Sequence, residues 1–236
     1  MLPKINESLK FETRVPSTGE TFKYRPYLVK EEKVLLQAFE SGDLKMTVKA
    51  MIDTVDACCV EPMKTSIREL ATFDVEYLFA QIRGKSVSEM SEIIVKCGHC
   101  EELNPYEVDL TQIEVDFPKT ESKISITDDI VIEMQYPKYE TVLKDGFDLE
   151  QSEAAITMDL VASCMKNVLT EEERIDCSTI SAEEKMSFIE SMTSAQFIKV
   201  SEFVKNMPSL SKTIEFKCKK CGKQDGLELR GLSDFF

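Results

Sequence analysis

Glu92-Ile93-Ile94-Val95-Lys96-Cys97-Gly98-His99-Cys100 decides the reading of this chain, because it runs an apolar, β-branched strand straight into a CxxC turn. A second stretch of the same kind, Thr213-Ile214-Glu215-Phe216-Lys217-Cys218-Lys219-Lys220-Cys221-Gly222, follows far along the chain, with residues 101–217 between the two cysteine pairs, 117 in all. A CxxC turn brings two sulfurs close enough to share one ion, and its amides can donate hydrogen bonds to thiolates. Two such knuckles, Cys97 and Cys100 with Cys218 and Cys221, complete the four-thiolate tetrahedral shell of one structural Zn2+ ion. Gly222 suits the position after the second pair, where a positive φ carries no Cβ penalty. A shell closed by four cysteines leaves no position for water or substrate, which argues against a catalytic ion. His99, the only histidine, would be a superfluous fifth ligand and is expected to sit exposed at the knuckle tip. The rival reading, two redox CxxC motifs, requires a βαβ context that the flanking pattern lacks.

Zinc with four thiolates carries a formal charge of −2. Lys96, Lys217, Lys219, Lys220 and Lys223 stand beside the ligands and are expected to offset it. A nucleic-acid-binding ribbon would interleave aromatic residues with those lysines, and none occurs. The whole chain, 236 residues with a net charge of −14, repels nucleic acid and anionic membranes. Thr141 to Met192 concentrates the charge, with 4 Lys/Arg against 12 Asp/Glu, a net of −8. It reads as a solvated face or as a docking surface for a basic partner. No apolar span reaches transmembrane length, and the start MLPKINESLKFETR has no secretory apolar run, so a soluble cytoplasmic protein is expected. In that setting eight cysteines point to metal or free thiols rather than disulfides. Cys164 falls in an apolar pattern and reads as core, whereas vicinal Cys58 and Cys59 lack a basic neighbour that would activate a thiol.

Working outward, Leu9 to Val15 and Thr21 to Tyr24 alternate apolar and polar around Pro16-Ser17-Thr18-Gly19, the pattern of a β-hairpin. Three amphipathic helices follow. Val34, Leu35, Ala38 and Phe39 face inward from the first; Leu44, Val48, Met51, Ile52 and Val55 from the second; Val75, Leu78, Phe79 and Ile82 from the third, Phe73 to Val87, with Gly84 as a stop. Tyr106 to Leu110 leads out of the first knuckle, and Ile124–Ile126 with Ile130–Tyr136 reads as another hairpin. Ala154, Met158, Val161, Met165 and Val168 predict one long helix. Ser181-Ala182-Glu183-Glu184 opens another with capping-box spacing, and a last helix carries Phe197, Phe203, Val204 and Met207 up to Pro208. No internal repeat is expected.

The fold class is therefore α+β: an N-terminal hairpin and helices over 1–87, a discontinuous zinc ribbon over 88–111 plus 212–232, and a strand-and-helix insertion over 112–211. Catalytic signatures are missing, so no catalytic residue and no small-molecule substrate are expected. The glycines form neither a P-loop nor a dinucleotide fingerprint, and the one histidine lies inside a knuckle. Asp128-Asp129 and Glu171-Glu172-Glu173 suit turns and helix starts better than paired acid–base work.

Taken in order, several motifs resemble a known family. Leu2-Pro3-Lys4-Ile5, the hairpin with Pro16-Ser17-Thr18-Gly19-Glu20, and Tyr24-Arg25-Pro26-Tyr27-Leu28-Val29-Lys30-Glu31-Glu32-Lys33 come first. Thr72 to Phe79, Arg83-Gly84-Lys85-Ser86-Val87 and the stretch from Phe203 through Pro208 and Leu210 to Gly231-Leu232 follow. They are similar to the baseplate hub assembly proteins of T-even-type tailed bacteriophages. The resemblance implies a non-enzymatic assembly factor or minor hub component of a contractile tail. Its partners would be phage hub proteins, and its place the host cytoplasm or the finished baseplate. A zinc-ribbon adaptor of transcription or nucleic-acid machinery is the alternative.

Overall fold

The computed structural model describes residues 9–139 and 152–236. The opening hairpin pairs β1 (Phe11–Arg14) with β2 (Thr21–Tyr24), Phe11 opposite Tyr24. Its turn closes where Gly19 adopts φ +68°, with Val15 N donating to Glu20 O at 2.9 Å and Gly19 N to Val15 O at 2.8 Å. Asp74, fully buried near the start of α3 (Thr72–Ser86), accepts from both Ser17 N (2.9 Å) and Ser17 Oγ (2.6 Å), which ties that turn to the helix. Burial pushes the Asp74 carboxyl upward against these hydrogen bonds.

Helix α1 (Val29–Ser41) begins where Glu31 accepts from Leu28 N at 2.8 Å and pairs with Arg25 at 2.9 Å, and it stops at Gly42 in the left-handed region. Leu35 and Ala38 are buried as the pattern predicts, but Val34 and Phe39 are half-exposed. The 3.6-residue period places those two on the flanks of the buried stripe rather than at its centre. Asp43 caps α2 (Leu44–Cys58) by accepting from Lys45 N, and Met51, Ile52 and Val55 turn inward. In α3 Val75, Leu78, Phe79 and Ile82 are all buried. Gly84 does not stop α3, which continues to Ser86, with Gly84 lying beside Leu110.

Two cysteine hairpins follow in space though not in sequence. Strands β3 (Met90–Lys96) and β4 (Leu103–Asp109) form one, and β10 (Ser209–Lys217) with β11 (Gln224–Arg230) forms the other. A strand absent from the sequence reading, β5 (Glu114–Asp116), pairs with the start of β10, Asp116 opposite Ser209. These elements belong to one compact unit, the described residues of Met1–Asp116 with Ser209–Phe236.

Phe117–Pro208 forms the second unit. It is an antiparallel sheet in the order β6 (Lys123–Ser125), β7 (Val131–Met134), β8 (Met165–Leu169), β9 (Arg174–Asp176), accompanied by α4 (Glu153–Cys164), α5 (Ala182–Glu190) and α6 (Ser194–Lys205). Ile132, Val161, Cys164, Ile189, Val200 and Phe203 belong to its apolar core. The long helix predicted through Val168 ends at Cys164, and Met165 and Val168 lie in β8. An apolar run that is buried on both sides satisfies either period, and pairing with β7 decides it: Val168 sits opposite Ile132, and Asn167 donates to Glu133 at 2.7 Å. Glu171, Glu172 and Glu173 form the exposed β8–β9 connection, not a helix start. The expectations for Leu2 to Ile5 and for the acidic residues 141–151 lie outside the described residues. Among the described residues no helix is long and apolar enough to cross a membrane.

Candidate metal centre

Each knuckle is built by its hairpin. In the first, Cys97 N donates to Glu102 O and Glu101 N to Cys97 O, both at 2.9 Å. In the second, Cys218 N donates to Lys223 O and Gly222 N to Cys218 O, both at 3.0 Å. The residue after the last cysteine takes a left-handed conformation in both, Glu101 at φ +60° and Gly222 at φ +70°. Glycine is the residue that adopts this region freely. The first knuckle uses a glutamate there, which sequence reasoning did not single out.

The fold brings the sulfurs of Cys97, Cys100, Cys218 and Cys221 together, all within 4.8 Å of one another. Cys97 Sγ lies 3.9 Å from Cys221 Sγ, and Cys100 Sγ lies 3.6 Å from Cys218 Sγ. Four sulfurs at about 2.3 Å from a tetrahedral zinc would stand about 3.8 Å apart, so the donor set fits such an ion. Cys97 and Cys218 are buried, while Cys221 is exposed. The amide of Cys221, helped by that of Lys220 and opposed by burial, draws the Cys218 thiol down to about 6. His99 is exposed and stays outside the cluster, its backbone N–H facing Cys97 Sγ at 3.4 Å.

Two further residues complete the arrangement. Asn104 on β4, buried, accepts from Lys219 N at 2.9 Å and donates from Nδ2 to Glu102 O at 2.9 Å, with Cys218 Sγ at 3.8 Å from the same nitrogen. Asp225 on β11 accepts from Gly98 N at 2.7 Å, and that amide holds its carboxyl below the usual range. Each hairpin thus reaches across to the amide just after the other's first cysteine. A signal for this exists in the sequence: Cys97, Cys100 and Asn104 recur as Cys218, Cys221 and Asp225, each 121 residues on (218 − 97, 221 − 100, 225 − 104). The two knuckles thus share the spacing of ligands and tether.

The neighbouring lysines do more than face the cluster. Lys96 pairs with Glu101 at 3.3 Å, and Lys220 and Lys219 with Glu102 at 3.1 and 3.9 Å. Part of their charge is met by carboxylates rather than left for the thiolates. The remaining cysteines offer no comparable site. Burial pushes Cys58 and Cys164 up to about 12, and outweighs the Arg25 guanidinium that lies 3.8 Å from Cys58 Sγ. Cys59 donates to Glu61 O at 2.9 Å, and its thiol is likewise raised by burial.

Comparison with known proteins gives this geometry its setting. The chain is 24% identical over 228 residues to the baseplate hub assembly protein gp26 of Enterobacteria phage T4, an alignment that covers 96% of this chain and 97% of that protein. No solved structure matches it. The family described as T4 bacteriophage base plate protein matches residues 7–236, and with nearly the whole length accounted for, the chain belongs to that family.

Proposed function

We propose that this protein is a non-enzymatic assembly factor or minor structural component of the central hub of a contractile phage tail baseplate. In this reading a single structural zinc ion clasps its two cysteine hairpins. The observation that carries it is the four-thiolate cluster assembled from two separated hairpins in a chain of this family. Sulfur spacings near those of a tetrahedral zinc shell support the choice of metal. Because the shell uses all four positions for protein ligands, the ion's role is to hold the hairpins together, and the working surfaces lie elsewhere. The partners are other hub proteins of the phage, met in the host cytoplasm during assembly, with no small-molecule substrate. The printed name of the T4 relative, a hub assembly protein, supports that partner class.

The test joins composition to location. Mass spectrometry of purified virions and of hub intermediates from infected cells should find the protein in one or both. The purified protein should hold about one equivalent of zinc per chain, lost in Cys97→Ser/Cys218→Ser. Full metal retention in that variant, or absence of the protein from every hub species, overturns the reading.

A further inference from the structure

Strand β3 has an edge that the molecule leaves open. The pairs Cys97 N to Glu102 O and Leu110 N to Glu89 O fix the parity of the β3–β4 ladder, so Ser91, Ile93 and Val95 direct their backbone groups toward β4. Met90, Glu92, Ile94 and Lys96 direct theirs the other way. Met90 N is taken by Ser88 Oγ at 3.0 Å, but the outward amides of Glu92, Ile94 and Lys96 have no partner among the described residues. The other edges near the cysteine hairpins are each interrupted at one or more positions. Ile94 lies opposite Pro105, whose missing N–H falls on the outer side of β4. On β11 the outward Arg230 N is taken by Asp234 and Gly226 N by Asp225. An open groove of about 460 Å³ runs along β3, with Glu92, Ile94, Lys96, Leu227 and Phe236 in its lining.

We propose that β3 pairs, antiparallel and about a twofold axis at Ile94, with β3 of a second copy of this chain. The parity permits this register, and the charges on either side of Ile94 select it. Ile94 meets Ile94 of the other copy, and Glu92 meets Lys96 at both ends, so that the outward amides and carbonyls of all three exchange bonds across the axis. Ile94 is 72% exposed, an unusual state for an isoleucine at the centre of a strand, and the pairing covers it with its twin. Charged side chains on an edge ordinarily repel an added strand. Here opposite charges stand two residues to either side of Ile94, which makes self-pairing the complementary case. Glu92 forms no ion pair among the described residues. On its own hairpin it faces Glu107, a like-charge pair that a lysine from the second copy relieves. Lys96 holds only the exposed Glu101 and is free to exchange it. The pairing uses none of the four cysteines and stands apart from the hub assignment.

Sedimentation velocity over a concentration series reads it directly. The unmodified chain should move from the single-chain to the two-chain species. Glu92→Lys sets lysine against lysine at both ends and should weaken association about tenfold, a change of about 1.4 kcal/mol. Glu92→Lys/Lys96→Glu restores opposite charges and should recover it, with far-UV circular dichroism confirming that each variant is folded. A chain that stays single at its highest attainable concentration overturns the proposal. So does a dimer indifferent to Glu92→Lys, a double variant that fails to recover, or an edge that associates only when another protein is added.

Discussion

The two cysteine hairpins perform the same task with different residues. Both present two thiols at a turn, both place the next residue in the left-handed region, and each reaches across to the other's knuckle from four positions past its last cysteine. They differ in what does each job. The first hairpin uses Glu101 for the strained turn position and buried Asn104 as its tether; the second uses Gly222 and the more open Asp225. The likeness teaches that the site is specified by backbone geometry at matched positions. The differences show where the chemistry is negotiable.

Breaking what the hairpins share should produce the largest effect. In the proposed reading a structural zinc ion contributes on the order of 10 kcal/mol to the folded state that depends on it, so chelation, or Cys100→Ser, should remove a major link between the hairpins. Hydrogen exchange should then rise across β3, β4, β10 and β11. It should hold steady in β7 and β8, whose protection comes from the apolar core around Ile132 and Val161. Equal loss in both units, or no loss in the hairpins, removes the clasp from the account.

Much of this was legible in the sequence because CxxC spacing is short-range and chemically narrow. The four cysteines that the spacing groups are the four whose sulfurs converge, and the alternating runs around them are strands. What was hidden depended on partners distant in the chain. Asn104 and Asp225 acquire a role only once the hairpins meet, and each taken alone is an ordinary strand residue. β5 is three residues long and exists because β10 offers it an edge. Met165 and Val168 satisfy helical spacing equally well, and only the facing strand β7 selects the extended form. Asp74, not singled out in the sequence, owes its hold on Ser17 to the hairpin turn that meets the start of α3.

The tethers offer a sharper contrast with a smaller effect. Asn104→Ala leaves the part-buried Lys219 amide without its acceptor and empties a buried side-chain position, and should cost about 1 kcal/mol in urea unfolding of the metal-loaded protein. Asp225→Ala removes the matching bond to Gly98 N, but water can reach that amide, so its midpoint should move less. A larger shift for Asp225 than for Asn104 reverses the assigned order of the two tethers.

The smallest expected effect lies in the left-handed positions, where the two knuckles can be exchanged for one another. A side chain at φ near +60° costs about 1 kcal/mol relative to glycine, less the extra chain entropy that glycine retains when unfolded. A Cβ at Gly222 would meet nothing within 4 Å, so Gly222→Ala tests the backbone term alone and should destabilise by about 1 kcal/mol. Glu101→Gly should stabilise by about 0.5 kcal/mol, since the Lys96–Glu101 pair it gives up is exposed on both sides and contributes little. The double variant should fall close to the unmodified protein, because the two positions have matching backbone geometry and the two changes act in opposite directions. If Glu101→Gly instead destabilises, Glu101 holds its turn through contacts that outweigh the backbone strain, and the two knuckles are alike in shape only.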